Sequence, residues 1–309
     1  MAQQLSIERD DWTYLITTRT AGSRLWFVGN RAVEERILGC LARYQEIHQI
    51  EIFAFVMMGN HYHLVARFPK QNRAPFMRDF NSAVARLVGR YIGEHGRRSV
   101  WARRYSYQIL PTPEDVKHWF FYVGLNPVSS GLVTRIEDYP SFNSFPDAVS
   151  GNNREYEWLD WNAYFKSRRH NRHVSESEFI RKYTLRFSRL SDSHQLAQQD
   201  YQVALTKELE SRRRELVAQR KTAGKTFLGA RRLKQQNLGS KPYATKTSSR
   251  YSFRPIVLSL CAIVKRATLD IYFGVLSAFQ QASSRFTACL SDHLPFPSGT
   301  YPPPHVRCV

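Results

Sequence analysis

The first half of this sequence predicts an α+β fold: an antiparallel sheet in the chain order β-α-β-β-α-β, with both helices on one face. Three observations carry the prediction. Four stretches are rich in β-branched and aromatic residues. Two longer stretches between them repeat apolar residues at helical spacing. A Gly59-Asn60 turn joins the two middle strands.

Taken in order, DWTYLITTRT (11–20) reads as the first strand. RAVEERILGCLARYQEIHQ (31–49) sets Val33, Ile37, Leu38, Leu41 and Tyr44 on one helical stripe. IEIFAFVMM (50–58) is the second strand, and HYHLVARF after the turn is the third. APFMRDFNSAVARLVGRYIGEHG (74–96) is a second amphipathic helix, and SVWARRYSYQIL (99–110) the fourth strand. This is the ferredoxin-like arrangement. A further helix is expected over 112–126, with Thr112 as N-cap, Pro113 in the first turn, and Glu114 and Asp115 complementing the helix dipole. Pro127 is expected to stop it.

The composition shifts near residue 151, so the chain is read as 1–150 followed by a basic, mainly helical extension, 151–309. The 309 residues carry a net charge of +19, which points to a polyanionic partner. Residues 151–309 hold 27 Lys and Arg against 12 Asp and Glu, so most of the excess lies there. Cys40, Cys261, Cys289 and Cys308 fall at neither metal-ligand nor redox spacing, consistent with a reducing, cytoplasmic compartment. The first residues do not read as a signal peptide. The most apolar late stretch (255–276) is broken by Lys265, Arg266 and Asp270, so no membrane span is expected. NLGSKPYATKTSSR (237–250) reads as a linker, and FPSGTYPPP (296–304) as extended or turn structure.

The stretch GNHYHLVARFP (59–69) asks for a chemical reading. On a strand, His61, His63, Val65 and Arg67 point one way, and Tyr62, Leu64, Ala66 and Phe68 the other. The second set is apolar and should pack under the two helices. The histidines then face the opposite side, where two imidazoles can hold a divalent cation with a third ligand from elsewhere. Two half-exposed strand histidines with no such role fit the spacing as well. In YVGLN (122–126), Tyr122 and Asn126 stand at i and i+4, with His118 one turn earlier. A tyrosine hydroxyl can act as a nucleophile, and an asparagine carbonyl can ligate Mg²⁺ or Mn²⁺. Equally, Tyr122 can belong to an aromatic core with Trp119, Phe120 and Phe121, and Asn126 can cap the helix.

FVMMGNHYHLVARFP resembles the His-hydrophobic-His signature of the single-tyrosine HUH transposases, and YVGLNPVSSGLV with YPSFNSF resembles that family's tyrosine helix and the segment after it. The REP-associated tyrosine transposases are the most similar group, over about residues 11–146. The resemblance implies that His61 and His63 bind the metal, that Tyr122 is the nucleophile, and that Asn126 stands where the third ligand is supplied, a place taken by Gln in some relatives. It implies Mg²⁺- or Mn²⁺-dependent cleavage and rejoining of single-stranded DNA through a 5′-phosphotyrosine, beside a hairpin, by a monomer or homodimer acting at the nucleoid.

Arg97, Arg98, Arg103 and Arg104 flank Trp101 and Tyr105, a mixture able to pair phosphates and stack bases; an ordinary turn with Trp101 in the core fits equally. Arg212, Arg213, Arg214, Arg231 and Arg232 are further candidate DNA contacts. Two other functions compete: a DNA-binding protein that keeps the fold without cutting, and an RNA-binding module. The second would want exposed aromatics where this sheet carries histidines.

Overall fold

The computed structural model describes residues 4–27, 29–92, 99–191, 195–242, 254–287 and 296–303. The first half runs β1 (Thr13–Arg19), α1 (Arg31–His48), β2 (Glu51–Met58), β3 (His61–Arg67), α2 (Arg73–Ile92), β4 (Ser106–Leu110), α3 (Pro113–Gly124), α4 (Asn126–Ser129) and α5 (Phe145–Ser150). The second half adds β5 (Arg154–Leu159), α6 (Trp161–His170), β6 (Ile180–Leu185), α7 (Gln198–Thr222), α8 (Ala230–Lys234), β7 (Ile256–Val257) and α9 (Ala262–Thr287). The main sheet has the order β2-β3-β1-β4-β7 and is antiparallel except for β7, which joins β4 in parallel.

The side-chain alternation of β3 decides the layering. Tyr62, Leu64 and Ala66 meet Ile37 and Leu41 of α1 and Phe76, Phe80 and Val84 of α2 in one core. Val65 on the other face joins Val116, Phe120, Phe121 and Val123 of α3 in a second. The sheet is thus covered on both faces, and α3 lies on the histidine side.

Several expectations are corrected in detail. The fourth strand is shorter than 99–110. Trp101 makes one isolated bridge to Thr20, the exposed residues 102–104 leave the ladder, and regular pairing begins at Ser106. Pro127 does not simply stop the tyrosine helix. That helix ends at Gly124, and Pro127 sits in the first turn of α4, where its missing N–H costs no hydrogen bond.

The second half contains a β5–β6 antiparallel pair not foreseen in the sequence, and it packs on α1. Gly39 makes this approach possible, because a methyl group there would overlap the Glu157 carbonyl. The second half also enters both cores of the first. Leu185, Val257 and Tyr272 join the α1–α2 side, while Leu190, Tyr201, Leu205, Leu209 and Leu233 join the α3 side. Residues 237–242 of the expected linker are strapped to the first half: Leu25 N–H donates to Ser240 O, and Gly239 N–H to Leu25 O. Gly299 O accepts from Glu8 N–H, which pins the FPSGTY segment beside α2. Among the described residues, no helix is long and apolar enough to cross a membrane.

Candidate active site

The site is assembled from two elements. Strand β3 presents the histidines, and α3 lays its tyrosine over them. The ladder between β1 and β3 sets Thr17 opposite His63 and Arg19 opposite His61. Residues directly opposite in such a ladder share a face, so Thr17 and Arg19 stand on the histidine side. The His61 and His63 rings lie 4.9 Å apart, edge to face. The His63 and Tyr122 rings lie 5.8 Å apart, and Trp119 closes the other side of the tyrosine at 4.7 Å.

Each histidine is held through Nδ1. His63 Nδ1 lies 2.8 Å from Thr17 Oγ1, and His61 Nδ1 lies 2.7 Å from Asn60 Oδ1. When Nδ1–H donates to these oxygens, the lone pair sits on Nε2, the form an imidazole needs to ligate a cation. Burial pushes the His63 pKa down to about 4, with Arg19 adding to the effect. Burial likewise holds His61 well below the usual histidine value, reinforced by His63 and Arg19. Both rings are therefore neutral at physiological pH. Among the described residues, no cluster of three or more His, Cys, Asp and Glu forms a metal cage. The donor set is two neutral imidazoles side by side, with Asn126 reached through its bond to the neighbouring Tyr122 hydroxyl, a fit for a cation that keeps open positions for substrate oxygens.

Tyr122 is 38 % exposed, and its ring is held in contact with His63 and Trp119. Burial raises its pKa above the ordinary phenol value, and the Asn126 side chain, bonded to the hydroxyl, pulls it back. Asn126 itself is buried, and its Oδ1 accepts from Ser130 Oγ at 3.4 Å. The interruption between α3 and α4 thus does not separate the pair. His118 stacks edge-on against Trp119. A cavity of about 280 Å³ opens beside His61, walled by Arg19 and Asn60 on one side and by Leu228, Leu233 and Pro242 of the second half on the other.

The basic candidates divide. Arg103 and Arg104 are exposed on a groove that Trp101 also lines. Trp101 donates from Nε1 to Asn81 O at 2.9 Å and packs against Phe27 and Tyr62, so its ring is tied to the core. Arg97 and Arg98 lie outside the described residues. Arg231 and Arg232 are exposed on α8. Arg212 pairs with Glu208 and stacks over Phe121, while Arg213 and Arg214 both pair with Glu210. Arg212 thereby braces α7 against the tyrosine helix, while Arg213 also donates to Thr134 O.

Sequence reasoning missed Arg19, Thr17 and Trp119 as parts of the site. The first two were within reach, because the antiparallel register of TYLITTR against HYHLVAR sets them opposite the histidines.

Residues 11–117 match the family model described as "Transposase IS200 like". The match takes in both histidines and ends within α3. Over 145 residues the chain is 22% identical to the REP-associated tyrosine transposase of Escherichia coli (strain K12), covering 47% of this chain and 82% of that one. A solved REP-associated tyrosine transposase bound to a REP hairpin is 18% identical, covers 47% of this chain and 84% of its own, and has a TM-score of 0.37. A tRNA(His) guanylyltransferase from Saccharomyces cerevisiae covers 67% of this chain and 81% of its own at 9% identity and a TM-score of 0.31. Over its first half this chain is thus similar to the IS200-like transposases.

Proposed function

We propose that this protein is a DNA transposase that cuts and rejoins single-stranded DNA beside a hairpin, with Tyr122 as nucleophile. We read its sheet as ferredoxin-like, residues 1–150 as the catalytic unit, and residues 151–309 as an accessory DNA-binding region. The observation that carries the reading is the contact between the His63 and Tyr122 rings, drawn together from β3 and α3.

In this reading the scissile phosphate sits between the Tyr122 hydroxyl and the two imidazoles, with the Arg19 charge on the same face. Tyr122 Oη attacks phosphorus, forming an O–P bond as the P–O3′ bond breaks. The phenol proton is lost and the leaving oxygen takes up a proton to depart as a 3′-OH. A later attack by a 3′-OH reverses the exchange, so no external energy source is needed. His61 and His63 through Nε2, with Asn126 Oδ1 as third donor, would hold a divalent cation, Mg²⁺ or Mn²⁺, whose chemistry there is Lewis-acid polarisation of the phosphate. Asn126 also orients the nucleophile through its bond to the Tyr122 hydroxyl. Burial raises the pKa of that hydroxyl, so the phenol rests protonated and must give up its proton for the attack.

The test is incubation with end-labelled hairpin DNA bearing a single-stranded flank, with Mg²⁺, followed by denaturing electrophoresis. A covalent adduct in the wild type that Tyr122→Phe abolishes, with hairpin binding retained, supports the reading. An adduct of equal yield in the variant refutes the nucleophile. Tight binding with no adduct in either chain favours a non-cleaving DNA-binding role.

A further inference from the structure

A basic pocket lies away from the histidine site, on the far side of the α1–α2 layer. It occupies about 380 Å³ between α1, α2 and the β5–α6 segment of the second half. Arg36, Cys40 and Arg43 recur at helical spacing along α1, and Arg86 and Arg90 do so along α2. Both stripes face the opening, and Lys166 of α6 adds a further cation. The carboxylate in the lining, Asp160, is committed to capping α6, where its Oδ1 accepts from Ala163 N–H.

Among the described residues, none of Arg36, Arg43, Arg86, Arg90 and Lys166 forms an ion pair with a carboxylate. Arg36 Nη1 and Arg43 Nε are shielded from solvent without an acceptor. Arginine donors in that state are costly unless a partner arrives. The geometry is also fixed. The Arg43 guanidinium carbon lies 4.0 Å from the Trp158 ring centre and that of Arg90 lies 4.2 Å from the Trp161 ring centre, so each guanidinium is held over an indole. Burial, with the neighbouring Arg86 adding to it, lowers the Arg90 pKa.

We propose that this pocket binds consecutive phosphates of the DNA backbone flanking the cleaved strand, holding substrate on the face of the molecule opposite the histidine site. The proposal rests on the reading of the protein as a DNA transposase. A row of guanidinium edges and an ammonium suits a repeating phosphodiester, and arginine forks match phosphate oxygens in pairs. The indoles serve as platforms for arginine here, which makes the contact one with backbone rather than with bases. Both halves of the chain build the pocket, since α1 and α2 supply the arginines while β5 and α6 supply the indoles and Lys166.

The experiment uses the full chain and a fluorescent DNA hairpin with a single-stranded flank, titrated by anisotropy over a salt series. Arg86 and Lys166 are exposed, so Arg86→Gln/Lys166→Gln leaves the fold intact, which the melting temperature verifies. The slope of log affinity against log salt should shrink by about 1 to 2, since each duplex phosphate contact contributes about 0.9. Arg86→Lys should keep the wild-type slope. In the unsubstituted chain, bound hairpin should protect Lys166 from acetylation. The Tyr122-dependent adduct on a saturating short single strand should be unchanged in the double variant, so failure of the nucleophile assignment and failure of this site read out separately. An unchanged salt slope with Lys166 still acetylated in the complex overturns the proposal. So does an acidic peptide, such as a polyglutamate decamer, that binds the chain more tightly than the hairpin does and loses that affinity in the double variant.

Discussion

Cutting the chain after residue 150 should unfold the half that carries His61, His63 and Tyr122. On the α3 side, Leu190, Tyr201, Leu205, Leu209 and Leu233 are all no more than 6% exposed. At about 2 kcal/mol for each buried side chain, they account for roughly 10 kcal/mol of apolar burial. The removed residues take their own ordering cost with them. Burial is mutual, however, so a similar apolar area is left wet on Phe121, Phe145 and their neighbours. That amount is comparable with the whole stability of a typical domain, about 5–15 kcal/mol. The cut also bares the β4 edge that β7 covers, and an open edge invites aggregation. The assay is urea denaturation of the 1–150 fragment followed by near-ultraviolet circular dichroism. The expected result is no cooperative transition and no fixed aromatic signal. A cooperative transition with native aromatic dichroism would refute the reasoning and show that the contacts between the halves are dispensable.

Three smaller perturbations test the frame around the site. Glu8→Ala removes the buried carboxylate that accepts from the Arg73 and Ala74 N–H groups at 2.7 and 2.9 Å and stands 3.9 Å from the Arg73 guanidinium. Leaving that arginine buried without its counterion should cost about 3–5 kcal/mol in chemical denaturation; a loss under 1 kcal/mol contradicts the role. Gly39→Ala forces α1 and the Glu157 carbonyl apart, at a cost of about 1–3 kcal/mol; a melting temperature equal to wild type would show that the β5–β6 pair docks elsewhere in solution. Glu34 accepts from Phe142 N–H at 2.9 Å, and burial pushes its pKa up to about 6 from 4.5. The native state therefore binds more protons than the unfolded state between those values, and stability should fall as pH rises through that window. Relative to wild type, Glu34→Gln should gain about 1–2 kcal/mol between pH 4.5 and 7, read from urea midpoints across pH; a flat difference would mean that Glu34 is solvated.

What the sequence revealed follows from period. A strand has a side-chain period of two, so the histidine face and the apolar face of β3 are separable by alternation alone. Tyr62, Leu64 and Ala66 do lie under α1 and α2. Capping chemistry likewise located the start of α3, where Thr112 accepts from Asp115 N–H. The β5–β6 pair escaped because its strands, REYEWL and IRKYTL, are charged and stand on either side of α6; neither offers a clean apolar alternation or a hairpin turn. Strand β7 has two residues and exists only because β4 offers an edge. The arginine run at 212–214 was read through its charge, although Glu208 and Glu210 stand one helical turn before it. That spacing is itself a signal for pairing within a helix.

Charge counted along the chain therefore differs from charge available in space. The second half holds most of the excess positive charge, yet three of its most concentrated arginines are occupied by glutamates of the same helix. The first half is nearly balanced in sequence, yet four of its arginines gather in one pocket without a carboxylate partner among the described residues. An ion pair on a helix surface contributes little to stability and removes little from the far field. At contact distance it does compete with a phosphate for the same guanidinium. Phosphates should then find their strongest local partners where folding left arginines unpaired. By that argument the proposed grip on DNA would belong to the junction between the halves, and it would fail when that junction is loosened, even with every basic residue still present.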